Sequence, residues 1–261
     1  FSLSEGDNSE IRAIEIFNEH LVIVTANELS IYSSNDITDF TLEYSINLGD
    51  NYYEDNKGIV VSDKIYIVSG SQIFIIDFID DGFAIEKVIQ VAENFTDSLN
   101  SRSLLVVDDS ITFIGRYYNR DIEEWHVLLE QYDTNSYELI RTYPYDTEDL
   151  YFNHAAAVDK NRIVINPSTQ LKTMLLNDDG IVIEDNFSEF YTWSSNRFEY
   201  FENTLWSQSN NSFSSYNIGT NNNVTKSSEV DFASSVNSNW SLEMSDINWG
   251  DNRLVIVSNY Y

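Results

Sequence analysis

The chain has 261 residues and contains 43 acidic residues against 14 basic ones, which gives a formal net charge of −29 at pH 7. A surface this acidic repels nucleic-acid phosphates and anionic lipid heads, so both are disfavoured as partners. There is no cysteine, which excludes disulfides, thiol catalysis and thiolate metal sites. No run of 18 apolar residues occurs, so no transmembrane segment is predicted.

Short apolar segments, many of them alternating, recur along the chain and are separated by Asn, Asp, Ser and Gly. This pattern predicts strands and tight turns rather than helices. One unit recurs six times: an apolar strand, a polar turn and a second apolar strand. The second strands align on Leu21, Ile65, Ile111, Ile163, Leu205 and Leu254. Their spacings of 44, 46, 52, 42 and 49 residues are typical of propeller blades.

We therefore predict an all-β fold: one β-propeller domain over 1–261, with about six blades of four antiparallel strands each. The approximate units are 11–50, 51–97, 98–146, 147–190, 191–236, and 237–261 with 1–10. The sixth unit holds two predicted strands. It is either incomplete or closed by an N-terminal strand at Phe1–Ser4, because an open blade leaves sheet edges unpaired. The alternatives are a fragment of a larger propeller, or a ring of five to seven blades.

The first two units carry apolar motifs at Leu21–Thr25, Leu29–Tyr32, Ile65–Gly70 and Ile73–Asp77. Over residues 11–92 they resemble the LVIVD-type repeats of bacterial secreted and cell-surface β-propellers. The proline of that family's outer loop is missing from Ser33–Asp39. The resemblance implies a propeller that scaffolds binding outside the cytoplasm and has no shared active site.

The chain begins Phe1-Ser2-Leu3-Ser4, without Met and without a signal peptide. We expect a mature product or an excised fragment, from which an export signal would already have been removed. Together with the resemblance, this predicts an extracellular, periplasmic or cell-surface location.

Catalytic motifs are missing from the sequence. The three histidines, His20, His126 and His154, have no metal-like spacing, and there is no GxSxG, P-loop or dinucleotide glycine pattern. No catalytic residue is therefore assigned. The alternative is a glycan-active enzyme, a glycoside hydrolase or lyase, that uses two carboxylates in the propeller channel.

One acidic loop has the oxygen ligands that calcium prefers. Asp50, Glu54 and Asp55 cluster there, beside Asn56. The spacing of a DxDxDG loop with a trailing Glu is absent. We therefore predict no cofactor, with calcium at Asp50, Glu54 and Asp55 as the alternative.

Aromatic residues collect in the segments before the first strand of each unit, which meet on one face of a propeller. These segments are Asp50–Lys57, Glu93–Arg102, Thr147–Asn153, Asp185–Asn196 and Ser234–Ser245. In the third unit, Arg116–Asp121 is predicted to add a long loop to the same face. The candidate ligand-binding residues are Tyr53, Arg116, Tyr117, Tyr118, Tyr151 and Trp193. The alternative is that the rings pack between blades and the arginines pair with neighbouring acids.

These features favour a non-enzymatic binding or assembly module that presents loops on one propeller face to a protein or glycan partner. Exposed rings with polar neighbours suit both kinds of partner. The sequence predicts neither the ligand nor the oligomeric state.

Overall fold

A computed structural model describes the strands and turns that build the propeller. The residues it describes are 11–25, 27–36, 39–48, 59–79, 82–91, 99–119, 123–145, 155–165, 172–178, 180–184, 198–201, 203–209, 212–219, 224–231, 242–250 and 253–260. Within them, every regular element is a β-strand, and the strands form six sheets.

The first three sheets each contain four antiparallel strands, with neighbours along the chain also neighbours in the sheet. The first holds β1 (Ile11–Phe17), β2 (His20–Thr25), β3 (Glu28–Asp36) and β4 (Asp39–Asn47). The second holds β5 (Ile59–Val61), β6 (Ile65–Ser69), β7 (Gln72–Ile79) and β8 (Gly82–Gln90). The third holds β9 (Leu99–Val107), β10 (Ser110–Asn119), β11 (Glu124–Asp133) and β12 (Leu139–Tyr145).

The fourth and fifth sheets repeat this order, and the described part of the sixth contains two strands. The fourth holds β13 (Ala155–Asp159), β14 (Arg162–Ile165), β15 (Lys172–Asn177) and β16 (Gly180–Glu184). The fifth holds β17 (Phe198–Phe201), β18 (Thr204–Ser209), β19 (Ser212–Ile218) and β20 (Val224–Asp231). The sixth holds β21 (Leu242–Gly250) and β22 (Arg253–Tyr260).

The first strands of the sheets lie side by side around a closed ring. Each of β1, β5, β9, β13 and β17 lies beside the first strand of the following sheet, and β21 lies beside β1. A cyclic order of four-stranded meanders around an axis is a β-propeller, and the predicted fold class is therefore confirmed. The sheets are called blades 1 to 6 from here on. Phe1–Ser4, the predicted closing strand, lies outside the described residues.

Apolar clusters fill the spaces between neighbouring blades. Blades 1 and 2 share a cluster that includes Val22, Val24, Leu29, Ile65 and Ile67. Blades 2 and 3 share one that includes Tyr66, Val68, Ile73, Ile111 and Phe113. Blades 3 and 4 share one that includes Ile114, Leu129, Ile163, Ile165 and Met174. A smaller cluster of Ala156, Val164 and Leu205 joins blades 4 and 5.

Strand β6 shows why the second strands are apolar throughout. Ile65 and Ile67 belong to the cluster with blade 1, whereas Tyr66 and Val68 belong to the cluster with blade 3. Successive side chains point to opposite faces of a sheet, and here both faces are buried. The strand therefore needs apolar residues at every position rather than at alternate ones.

Three predicted loops are partly strand in the structure. The predicted loop Arg116–Asp121 is wrong over its first four residues, because β10 continues to Asn119. The segment 99–102 is also strand, since the longer β10 provides a pairing partner, with Leu99 opposite Tyr117. The segment 242–245 belongs to β21 for the same reason, because β22 reaches Tyr260 opposite Leu242.

We expect Ile67→Ala to lower the free energy of unfolding by about 2–5 kcal/mol, because it opens a cavity between blades 1 and 2. Ile67 is fully buried. Urea unfolding followed by circular dichroism measures the change. Leu42→Ala is the control: Leu42 is 51% exposed on β4, and we expect its loss to stay within about 0.5 kcal/mol. Equal losses in the two variants would contradict the inter-blade core.

Candidate functional site

The two faces of the propeller carry different strand connections. On one face, which we call the upper face, the chain enters each first strand and connects each second strand to the third. Ser69 at the end of β6 donates a hydrogen bond there to the carbonyl of Leu48, which follows β4. On the other, the turn face, lie the turns from first to second and from third to fourth strands.

Blade 3 extends beyond its neighbours at the upper face. Its strands β10 and β11 have ten residues each, whereas β6 has five. When the blades are aligned on Ile65 and Ile111, Ser69 corresponds to Gly115, so β10 continues for the four residues Arg116–Asn119. At about 3.3 Å per residue, this carries the strand about 13 Å further. The blade therefore ends in a hairpin that projects from the face.

The backbone register brings aromatic residues together along this extension. The opposed pairs are Arg116 with Val127, Tyr117 with His126, Tyr118 with Trp125, and Asn119 with Glu124. We call Arg116–Asn119 and Glu124–His126 the hairpin end. Directly opposite residues are the closest cross-strand neighbours in an antiparallel pair. The hairpin end therefore concentrates two tyrosines, a tryptophan and a histidine on one short ribbon.

Basic residues also collect in this part of blade 3. Arg102 on β9 pairs with Gly115, and Arg116 pairs with Ser101, so two arginines lie on neighbouring strands one position apart. The whole chain has only 14 basic residues. Two of them thus stand at the base of the hairpin end, where they locally oppose the acidic field of the protein.

The structure brings three of the six predicted binding residues together. Arg116, Tyr117 and Tyr118 are consecutive on β10. Tyr53, Tyr151 and Trp193 lie outside the described residues, and so do the calcium candidates Asp50, Glu54 and Asp55. Two residues of the hairpin end were missed, Trp125 and His126. A signal for them was present in the sequence. If β10 is continued past Gly115, Tyr117 and Tyr118 pair with His126 and Trp125 at the start of β11.

The turn face is held by contacts between blades. Between blades 2 and 3, Lys64 forms an ion pair with Glu86 of its own blade. Its Nζ donates to Tyr137 Oη of blade 3 at 2.8 Å and lies 5.5 Å from the centre of that ring. Tyr137 Oη in turn donates to Glu86 Oε2 at 2.9 Å. We call this set of a basic side chain, a carboxylate and an aromatic ring from the next blade a latch.

A second latch joins blades 1 and 2. His20 occupies the position of Lys64 in the aligned repeat, and its Nε2 lies 3.1 Å from Glu43 Oε2. The His20 ring meets Phe83 of blade 2 edge-on, with 5.0 Å between ring centroids. Phe83 follows the turn between the third and fourth strands, as Tyr137 does in blade 3. The repeat therefore reproduces one structural contact at two interfaces.

In the latch between blades 2 and 3, the charged forms of Lys64 and Glu86 stabilise one another. Burial opposes the charge of Lys64, but its hydrogen bonds to Glu86 and Tyr137 outweigh burial and raise the pKa of the ammonium. The hydrogen bond from Lys64 lowers the pKa of the Glu86 carboxyl, against a smaller opposing effect of burial. Burial is the main cause that raises the pKa of the Tyr137 hydroxyl. These groups are used in joining blades, which leaves the hairpin end as the candidate site.

In the part of the chain that the structure describes, no three His, Asp or Glu side chains are grouped to hold a metal ion. The same residues include no helix that is long and apolar enough to cross a membrane.

Comparison with known proteins shows similarity in fold. No family model matches this chain, and no curated protein matches it. Hsv2p of Kluyveromyces lactis is similar over 95% of this chain and 71% of its own, with a TM-score of 0.48 and 14% identity. KlAtg21, solved in complex with the coiled coil of AgAtg16, is similar over 88% of each chain, with a TM-score of 0.52 and 12% identity. The chain is thus a β-propeller protein, and identities this low show the fold alone.

We expect Lys64→Met to reduce the acid sensitivity of unfolding. A carboxyl with a lowered folded pKa stabilises the fold above its ordinary pKa of about 4.3, and this stabilisation is lost as pH falls through the folded value. The stability difference between wild type and Lys64→Met should therefore be constant near neutral pH and shrink below about pH 4.3. Because the pair is partly exposed, we expect less than about 1 kcal/mol in total.

Urea unfolding at a series of pH values measures this difference. Lys87→Met is the matched control, since it removes the same charge from an exposed position on β8, next to Glu86. If Lys64→Met and Lys87→Met follow the same pH profile, Glu86 is not held by Lys64.

Proposed function

We propose that this chain is a non-enzymatic propeller module that binds a protein partner at the hairpin end of blade 3 and the upper face around it. The observation that carries the proposal is the extension itself. In blades 1, 2, 3 and 5 the structure describes both the second and the third strand up to this connection, and among these blades they project in this way only in blade 3. A propeller needs no such projection to close its core, so the extension requires a different explanation.

The composition of the hairpin end suits a binding surface. Trp, Tyr and Arg are the residue types most enriched among those that dominate binding energy. Tyr118 and Trp125 are paired in register, and Arg116 lies two residues from Tyr118 on the same strand. An arginine can bind a carboxylate through two hydrogen bonds. The proposed partner therefore presents an apolar surface with a carboxylate beside it.

One further observation supports a protein rather than a glycan partner. KlAtg21, a propeller of similar fold, was solved in complex with the coiled coil of AgAtg16.

The proposed location is outside the cytoplasm, in the periplasm, at the cell surface or in the medium. The support is the resemblance of β2, β3, β6 and β7 to LVIVD-type repeats, which belong to secreted and cell-surface propellers. The strong net negative charge keeps such a module soluble and limits its association with nucleic acid.

Site-specific photo-crosslinking tests the proposed site. A photoreactive phenylalanine analogue replaces Trp125 in one variant and Ile140 in a control, since Ile140 is 48% exposed on the outer strand of the same blade. We expect the Trp125 variant to crosslink to a protein in the cells that express the chain, and the Ile140 variant not to do so. The captured protein is then purified for affinity measurements.

Affinity for the captured protein should depend on the hairpin end. We expect Tyr118→Ala with Trp125→Ala to weaken binding at least about thirtyfold, the effect of losing about 2 kcal/mol of central aromatic contact. Arg116→Glu should weaken binding too, whereas Lys87→Glu on β8 should not. Unchanged affinity of the Tyr118→Ala, Trp125→Ala variant for the captured protein would contradict the proposal. Binding of a glycan by wild type that the same double variant retains would contradict it too.

A further inference from the structure

The outer strands of the blades are edges, and most of them carry a defect that blocks further pairing. In blades 1, 2, 3 and 5, the fourth strand contains one extra residue at the same register position, beside the third-strand residue that pairs with the residue on which the repeats align. The breaks fall between Ile31 and Tyr32, Ile75 and Ile76, Gln131 and Tyr132, and Ser215 and Tyr216. Such bulges bend and twist an edge strand, which prevents it from accepting another strand.

Charged residues or proline add to this protection. At or beside the bulge, β4 has Glu43, β8 has Glu86 with Lys87, β12 has Arg141, and β20 has Lys226. Strand β12 also contains Pro144, which lacks a backbone N–H to donate. Natural sheets use these same devices to keep edges from pairing with other chains.

Strand β16 of blade 4 lacks the bulge. It pairs with β15 without a break, from Asn177 opposite Gly180 to Thr173 opposite Glu184. Its sequence is Gly-Ile-Val-Ile-Glu, with no lysine, arginine or proline, and its one charged residue, Glu184, is its last. Val182 in its centre is 47% exposed, and no other strand of the described residues pairs with its outer edge. The register of this edge is therefore unbroken, and its centre is aliphatic.

We propose that the outer edge of β16 binds an extended segment of a partner protein, which adds a fifth strand to blade 4. Backbone hydrogen bonds would supply the affinity, and side-chain pairs beside Val182 would favour β-branched residues in the segment. This surface is separate from the hairpin end of blade 3, and the inference does not depend on the proposed function.

The charges around the strand identify the segment as basic at its ends. Four acids lie at the two ends of β16 in the sequence: Asp178, Asp179, Glu184 and Asp185. The Asp178 side chain is 92% exposed, although Arg141 of blade 3 lies 3.3 Å from it. The bases near this strand are Arg141 and Lys172, which begins β15, so the four acids outnumber the two bases. A segment with an apolar centre flanked by lysine or arginine is therefore complementary.

The same charges argue against a second copy of this chain as the occupant. Two β16 strands paired antiparallel would bring the acidic ends of one copy against those of the other. Like charges held close across an interface cost free energy, and each copy already carries a net charge of −29. The occupant is thus a different protein.

Synthetic peptides provide the probe: a capped peptide KKVTVTVKK, its acidic counterpart EEVTVTVEE, and the proline-containing KKVPVPVKK. We expect the first to bind, and the others to bind at least tenfold more weakly, in fluorescence anisotropy at low salt. Hydrogen exchange followed by mass spectrometry should show new amide protection at 180–184 and none at 39–47.

Val182→Lys is the test variant, with Leu42→Lys on β4 as the matched control of similar exposure. We expect Val182→Lys to weaken binding of KKVTVTVKK about fivefold, equivalent to about 1 kcal/mol of lost cross-strand packing, and Leu42→Lys to leave it unchanged. Circular dichroism verifies that both variants fold.

Four results would overturn the proposal. They are no binding of KKVTVTVKK, equal binding to Val182→Lys, equal binding of EEVTVTVEE, or protection at another edge. Light scattering of the protein alone measures its molar mass and supplies one more check. A dimer in wild type that becomes a monomer in Val182→Lys would show that a second copy of the chain occupies the edge, and this result would also overturn the proposal. Tyr118→Ala should leave peptide binding intact, which separates failure here from failure of the hairpin-end proposal.

Discussion

The fold depends on one constraint: both faces of each described blade from 2 to 4 must be buried against its neighbours. A single blade is a small antiparallel sheet with two apolar faces, and such a sheet is not stable alone. The clusters between blades supply the missing burial, with Tyr66, Ile111, Phe113 and Ile165 almost wholly removed from solvent. The ring must then close, because a first and a last blade would each leave one face exposed. The contact of β21 with β1 satisfies that requirement at the level of the inner strands.

Among the described residues, most of the exposed large apolar side chains lie on the outer strands. They are Leu42, Ile85, Val88, Leu139, Ile140 and Val182, and the others are Ile14 and Ile16 on β1 and Phe78 and Ile79 on β7. At the turn face, the two latches join neighbouring blades through a basic side chain, a carboxylate and an aromatic ring. A partly exposed ion pair stabilises a protein by less than about 1 kcal/mol, whereas one buried aliphatic side chain contributes several times that. The latches therefore set the angle between blades more than they hold them together.

The latches also explain the position of the bulges. In blades 1 and 2 the extra residue of the fourth strand is Glu43 or Glu86, the carboxylate of the latch. A bulge re-aims a side chain that regular alternation would point elsewhere. The same backbone irregularity thus serves two purposes, since it directs the carboxylate to its basic partner and protects the edge. In blade 4, β16 pairs with β15 without such a bulge.

The repeat was predictable because buried second strands are continuous apolar runs that follow a polar turn, and six of them recur at a nearly constant spacing. The hairpin end was not, since Arg116–Asn119 has the composition of a polar loop and its strand pairing depends on Trp125 and His126, beyond the next connection. The bulges were not predicted, because the outer strands that carry them have few buried residues and so show little alternation from which a break could be read. Tyr53, Tyr151 and Trp193 fall in sequence segments outside the repeated strand pairs and outside the described residues, so their roles stay predictions.

A repeat architecture separates structural from functional features by symmetry. A contact required by the fold should occur at equivalent positions in several blades, as the inter-blade clusters, the bulges and the latches do. A feature found in one blade needs another cause. The four-residue extension of β10 and the unbroken edge of β16 both belong to this second class. The first adds aromatic residues to β10 and β11, and the second lacks a bulge that four other blades have. Both lie on blades 3 and 4, which are neighbours in the ring, so one side of the propeller carries the departures from the repeat.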